Sequence, residues 1–115
     1  MVQHDVTTRA ALLSAFLTEI GVDAILETYD ASGYNLATFE GVNFTNAGVS
    51  ATLTASVSVL AARDGQVVRT RLYNAARTRY QEIVNPTNTE IQLSTFFVSS
   101  GVSVTLSGYT IGAPQ

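Results

Sequence analysis

The chain has 115 residues, a formal net charge of −3, no cysteine and one histidine. That length sets one domain with room for one apolar core, and the missing cysteines exclude disulfides, zinc–thiolate centres and thiol catalysis. Charged residues make up 13%, about half the usual share, and an acidic chain whose six cations are all arginine lacks the broad basic surface that nucleic-acid binding requires.

Residues 1–6 read as a flexible N-terminal tail, 7–112 as one domain and 113–115 as a C-terminal tail. The spacing predicts a helix over 7–20. Leu12, Leu13, Phe16, Leu17 and Ile20 fall on one face of a 3.6-residue period. Thr7 or Thr8 supplies a capping hydroxyl, and Gly21 stands where a left-handed residue ends a helix. Beyond Gly21 the period becomes two. Strands are expected over 22–29 and 36–40, with a turn at Asp30–Gly33 and a loop over 41–48. Ala51, Leu53, Ala55, Val57 and Val59 then alternate with Thr52, Thr54, Ser56 and Ser58, the pattern of a half-buried antiparallel strand.

Residues 67–73 and 77–84 read as a hairpin around an Asn74–Arg77 turn. That turn sets Tyr73 opposite Thr78, Leu72 opposite Arg79, Arg71 opposite Tyr80 and Arg69 opposite Glu82. Short strands over 90–93 and 96–98 and a last strand from Val102 to Ile111 complete the chain. The expected architecture is mainly β: an antiparallel β-sandwich or Greek-key barrel of about seven short strands with one N-terminal α-helix. No window is apolar enough for a membrane-crossing helix. The N-terminus lacks the basic then apolar pattern of a secretory signal, so synthesis in a cytoplasm without export is expected.

Catalytic chemistry finds little to work with. Neither phosphate-cradling glycine motif occurs, and a serine nucleophile has no lysine and only His4 as a base. Asp23 and Glu27 would share a strand face, but an exposed edge explains them as well as a carboxylate pair does. No catalytic residue, metal ligand or cofactor is expected. The local features are the arginines Arg69, Arg71, Arg77 and Arg79, which suit forked contacts at a protein interface or a solvated hairpin. In the expected register Arg79 lies on the opposite face from Arg69 and Arg71. Of the adjacent pair Phe96 and Phe97, one ring should be core and the other, Phe97, a candidate interface anchor. Tyr29, Tyr34, Tyr73 and Tyr80 are the stacking platforms a carbohydrate-binding sandwich would use.

The order of elements resembles small β-rich structural proteins of tailed-phage virions. The resemblance rests on Ala10 to Leu17, Glu27-Thr28-Tyr29-Asp30, Leu36-Ala37-Thr38-Phe39, Gly48 to Ala55, Thr89 to Leu93 and Gly101 to Thr110, and covers nearly the whole chain. The arginine-rich hairpin departs from the family pattern. The resemblance implies a virion protein. The foremost role is a capsid decoration (cement) protein bound at junctions of the major capsid protein; the alternative is a neck, tail or fibre component. It implies major capsid protein or other virion proteins as partners. The long Thr/Ser strand face leaves edges that predict a homo-oligomer (trimer or dimer), and charge and hydropathy predict neither a nucleic-acid nor a membrane partner.

Overall fold

The computed structural model describes residues 3–112; parts of both expected tails, 1–2 and 113–115, lie outside the described residues. Helix α1 (Val6–Ile20) begins one residue earlier than its sequence pattern indicates, because Asp5 caps it. The Asp5 carboxylate accepts the Thr8 amide at 2.7 Å, so Thr8 donates to the cap and is not the cap itself. Gly21 ends the helix at φ +71, and its N–H donates to the Leu17 carbonyl at 2.8 Å. Leu13 and Ile20 are buried and Phe16 and Leu17 pack against the core, but Leu12 stays exposed. The helix is thus anchored mainly by its C-terminal half.

Eleven strands follow among the described residues: β1 (Ala24–Tyr29), β2 (Asn35–Val42), β3 (Phe44–Asn46), β4 (Ser50–Leu53), β5 (Val57–Leu60), β6 (Gly65–Gln66), β7 (Arg69–Tyr73), β8 (Tyr80–Val84), β9 (Ile91–Leu93), β10 (Phe97–Val98) and β11 (Ser103–Gly112). One sheet has the order β2-β1-β7-β8, and a second runs β3-β4-β11-β5 with β9 also on β11. β6 and β10 form a small ribbon, and every pairing is antiparallel. The fold is a β-sandwich with one N-terminal helix. It has more strands than the seven expected because β3 lies inside the expected 41–48 loop, β6 follows the Asp64 turn, and one long strand is broken.

That break falls in the alternating segment. Thr110 of β11 faces Thr52, whereas Leu106 faces Val57, so the β4–β5 side carries one extra residue. The excess is taken up as a bulge over Thr54, Ala55 and Ser56, and Ala55 turns out to solvent instead of joining the core. β11 itself continues through Gly108. A Cβ there would stand 2.2 Å from the amide oxygen of Gln92 on the neighbouring strand, so a larger residue would require the exposed Gln92 side chain to swing aside.

The two sheets bury one face each. Leu26, Phe39, Leu36 and Leu72 come from the first, and Val104, Leu106, Tyr109 and Ile91 from the second. Tyr109, the largest fully buried side chain, links the layers. Its ring meets Phe44 edge-on at 5.4 Å, and its hydroxyl donates to Gln81 of β8 at 2.9 Å. Two threonines are buried in the same core, facing one another across β1 and β7. Thr28 donates to the Ala37 carbonyl at 3.2 Å, whereas the Thr70 hydroxyl has no hydrogen-bond partner.

A buried hydroxyl without a partner costs on the order of 1–3 kcal/mol. Thr70→Val keeps the shape and removes the group, so it should raise unfolding stability by about 1 kcal/mol in urea titration. Thr28→Val strips a satisfied hydroxyl and should give no such gain. A Thr70→Val variant no more stable than wild type would show that the hydroxyl is paired in solution.

Candidate functional site: the tyrosine–arginine sheet face

The outer face of the β2-β1-β7-β8 sheet carries the molecule's concentration of arginine and tyrosine. Side chains alternate across a strand, so Glu27 and Tyr29 of β1, Arg69, Arg71 and Tyr73 of β7, and Tyr80, Glu82 and Val84 of β8 all project outward. Register then aligns them in rows. Thr38, Glu27, Arg71 and Glu82 form one row across four strands, and Asn35, Tyr29, Arg69 and Val84 form the next.

This register corrects the one expected from the hairpin sequence. Tyr73 faces Tyr80, Leu72 faces Gln81, Arg71 faces Glu82 and Arg69 faces Val84, a slip of two residues. The cause is the loop. Asn74 closes a six-residue connection by accepting the Thr78 and Arg79 amides on its side-chain oxygen at 2.8 and 3.0 Å, and Arg77 takes a positive φ of 58°. A slip of two preserves which face each side chain uses, so Arg69 and Arg71 stay together. Arg79, expected on the strand's opposite face, instead leaves the strand and meets Glu19 of the helix at 3.5 Å, both side chains well exposed.

Arg77 moves the other way and joins the face from the loop. It binds the Glu27 carboxylate, which also accepts the Tyr29 hydroxyl. Arg71 donates from Nε to Glu82 at 2.8 Å and from Nη1 to the Tyr73 hydroxyl at 3.3 Å. Its guanidinium stands 4.7 Å from the Tyr80 ring centre and 5.9 Å from that of Tyr29, while Arg77 covers Tyr73 at 5.7 Å. The Tyr73 and Tyr80 rings lie 5.5 Å apart. Hydrogen bonds to Tyr73 and Glu82 hold the Arg71 cation above its ordinary pKa. Burial pushes the Tyr29 hydroxyl up, as does its bond to Glu27. Partial burial alone would raise the Glu27 carboxyl, but hydrogen bonds from Tyr29 and Arg77 outweigh it and leave its pKa below 4.5.

The face is therefore a lattice of paired charges and rings, rigid at its centre and half open to solvent. Asp23 and Glu27 do not form a catalytic pair: Asp23 sits at φ +54 outside the strand and is bound to Asn43. Phe97 is well exposed, as expected, and Phe96 packs on the core, but Phe97 belongs to the β6–β10 ribbon rather than to this sheet. Tyr34 is also separate and stacks with Arg63 at 4.0 Å. A larger recess, about 310 Å³, lies between α1 and the β2–β3 corner. Its Thr18 hydroxyl donates to the Ser14 carbonyl, and its Asn43 amide donates to Asp23 and Gly41. Sequence reasoning missed the joining of Tyr29 and Glu27 to the arginines, since β1 and β7 are some 40 residues apart in the chain.

The depressed Glu27 pKa contributes stability that is present above the unfolded value and lost as pH falls through the folded one. In Glu27→Gln that component disappears. Its unfolding stability should fall less steeply than that of wild type on acidification below about pH 5, read by urea denaturation at a series of pH values. Parallel curves would mean that the Glu27 contacts do not persist in solution.

No helix among the described residues is long and apolar enough to cross a membrane. Comparison of the chain with protein-family models, curated proteins and solved structures finds no match, so the reading of this face rests on its own geometry.

Proposed function

We propose that this protein is a non-enzymatic structural component of a phage virion, acting as a capsid decoration (cement) protein that docks on junctions of the major capsid protein. The observation that carries the docking reading is the tyrosine–arginine sheet face. Tyr and Arg are the residue types that dominate binding energy at protein interfaces. Here Arg71 and Arg77 are preset with Tyr29, Tyr73 and Tyr80 by mutual contacts before any partner arrives, which reduces the ordering cost of association. The virion assignment is supported by the resemblance in order of elements. A neck, tail or fibre position would use the same face and differ in copy number.

β8 supports self-association as well. It ends its sheet, and its pairing with β7 is regular. Bonds from Asn74 N–H to the Arg79 carbonyl and from Asn85 N–H to the Val68 carbonyl fix the hydrogen-bonding phase. That phase directs the backbone groups of Tyr80, Glu82 and Val84 away from β7, where a strand of a second copy would pair. A carbohydrate platform is less well supported, because Arg71 lies over the Tyr80 ring and Arg77 over Tyr73.

Purified protein mixed with head shells lacking it should co-sediment at many copies per shell. Tyr80→Ala should weaken that binding roughly tenfold or more, while Phe97→Ala on the separate ribbon should not. Wild-type protein that stays in the supernatant would refute decoration. A loss with Phe97→Ala and none with Tyr80→Ala would move the docking surface to the β6–β10 ribbon.

A further inference from the structure

We propose that the recess between Tyr29, Gly33, Arg69 and Arg71 is a carboxylate site, filled by an Asp or Glu side chain of the docking partner. The proposal rests on the docking reading and adds what the face recognises. Three observations converge on this recess.

The first is an imbalance of pairing. Acidic groups gather at the Arg77 end of the face, where Glu27 binds Arg77 and Glu40 lies near enough to act on its charge. At the other end two arginines share one carboxylate. Arg71 takes Glu82 at 2.8 Å, and Arg69 is left with its Nε 4.0 Å from the same oxygen and no hydrogen bond. Asp30, which follows Tyr29 in the chain, is turned into its own loop, where one oxygen accepts the Ser32 and Tyr34 amides at 2.9 Å. Arg69 is thus a forked donor that makes no side-chain hydrogen bond among the described residues, on a chain whose net charge is −3.

The second observation is size. The recess holds about 100 Å³, well below the roughly 300–1,000 Å³ of sites for organic ligands. It admits the end of one acidic side chain or a small oxyanion, and excludes a sugar or nucleotide. The third is preorganisation. Glu82, Tyr73 and two tyrosine rings hold Arg71 in place, so an entering carboxylate meets one fixed and one available guanidinium. Forked donors favour that arrangement. The Tyr29 hydroxyl is committed to Glu27, so its ring supplies a wall rather than a donor. A protein side chain is favoured over a free anion because the rows of Tyr, Arg and Val84 around the recess provide contact area that a free anion would leave unused.

The test follows the Nε–H resonances of Arg69 and Arg71 in ¹⁵N-labelled protein. Sodium acetate or inorganic phosphate is added at constant ionic strength. Acetate should shift both resonances saturably. Arg69→Gln should weaken acetate binding, read at Arg71, roughly three- to fivefold, and Arg79→Gln, which removes the same charge away from the face, should not. No saturable shift in wild type, which needs no variant to fold, would overturn the site. So would an equal effect of the two variants, which would reduce it to bulk charge, or a response to phosphate alone, which would make it a free-oxyanion site. Shell binding separates the two proposals. If wild-type protein ignores shells while acetate still binds at Arg69, the docking reading fails and the carboxylate site stands. If shells bind Arg69→Gln as tightly as wild type, the site takes no part in docking and the proposal fails.

Discussion

Leu106 is paired on both edges, with Val57 of β5 on one side and Leu93 of β9 on the other. This double pairing makes β11 the spine of the second sheet. Along its ten residues it collects β5, β9 and β4 in turn, and it sends Val104 and Leu106 and, past an irregularity at Ser107–Gly108, Tyr109 and Ile111 into the core. Fixing one strand in this way fixes the register of three others, because a one-residue slip would turn Val104, Leu106, Tyr109 and Ile111 toward water. The sandwich depends on that strand: apolar burial supplies the driving force, and β11 presents the inner face of one whole layer.

The layers are joined where burial is densest. Tyr109 is large enough to reach across, and its polar end would be costly in the core without an acceptor. Gln81 provides one, from the inner side of β8. The same strand presents Tyr80 and Glu82 outward to the arginine lattice. Core packing on one side of β8 and the ordered outer face on the other are therefore mechanically connected, and the outer side chains stand on a sheet that cannot shift independently of the core.

The outer face also illustrates how weak contacts become a site. Exposed ion pairs contribute little singly. Arg71 differs because it meets a carboxylate, a phenol and two rings at once, and Arg77 reaches Glu27 from a hairpin loop in which it takes a positive φ. Charge is shared unevenly along the lattice, tight at the Glu27 end and loose at Arg69, and that unevenness gives the surface a direction.

Much of the architecture could be read from the chain itself. Alternation of small apolar residues with Thr and Ser identified the β4–β5 segment and β11, the helix pattern identified α1, and Gly21 its end, because each signal depends on neighbours a few residues away. The same local patterns placed Arg69 and Arg71 on one face, since that requires only the two-residue period of a strand. What depended on distant contacts was decided by the tertiary structure. The bulge at Ala55 follows from register against β11, the two-residue slip of the hairpin from Asn74 closing a longer loop, and the meeting of Arg79 with Glu19 of the helix from that slip. The meeting of Tyr29 and Glu27 with the arginines follows from β1 lying beside β7. No local periodicity encodes which strands become neighbours; the burial of two apolar faces against each other selects them.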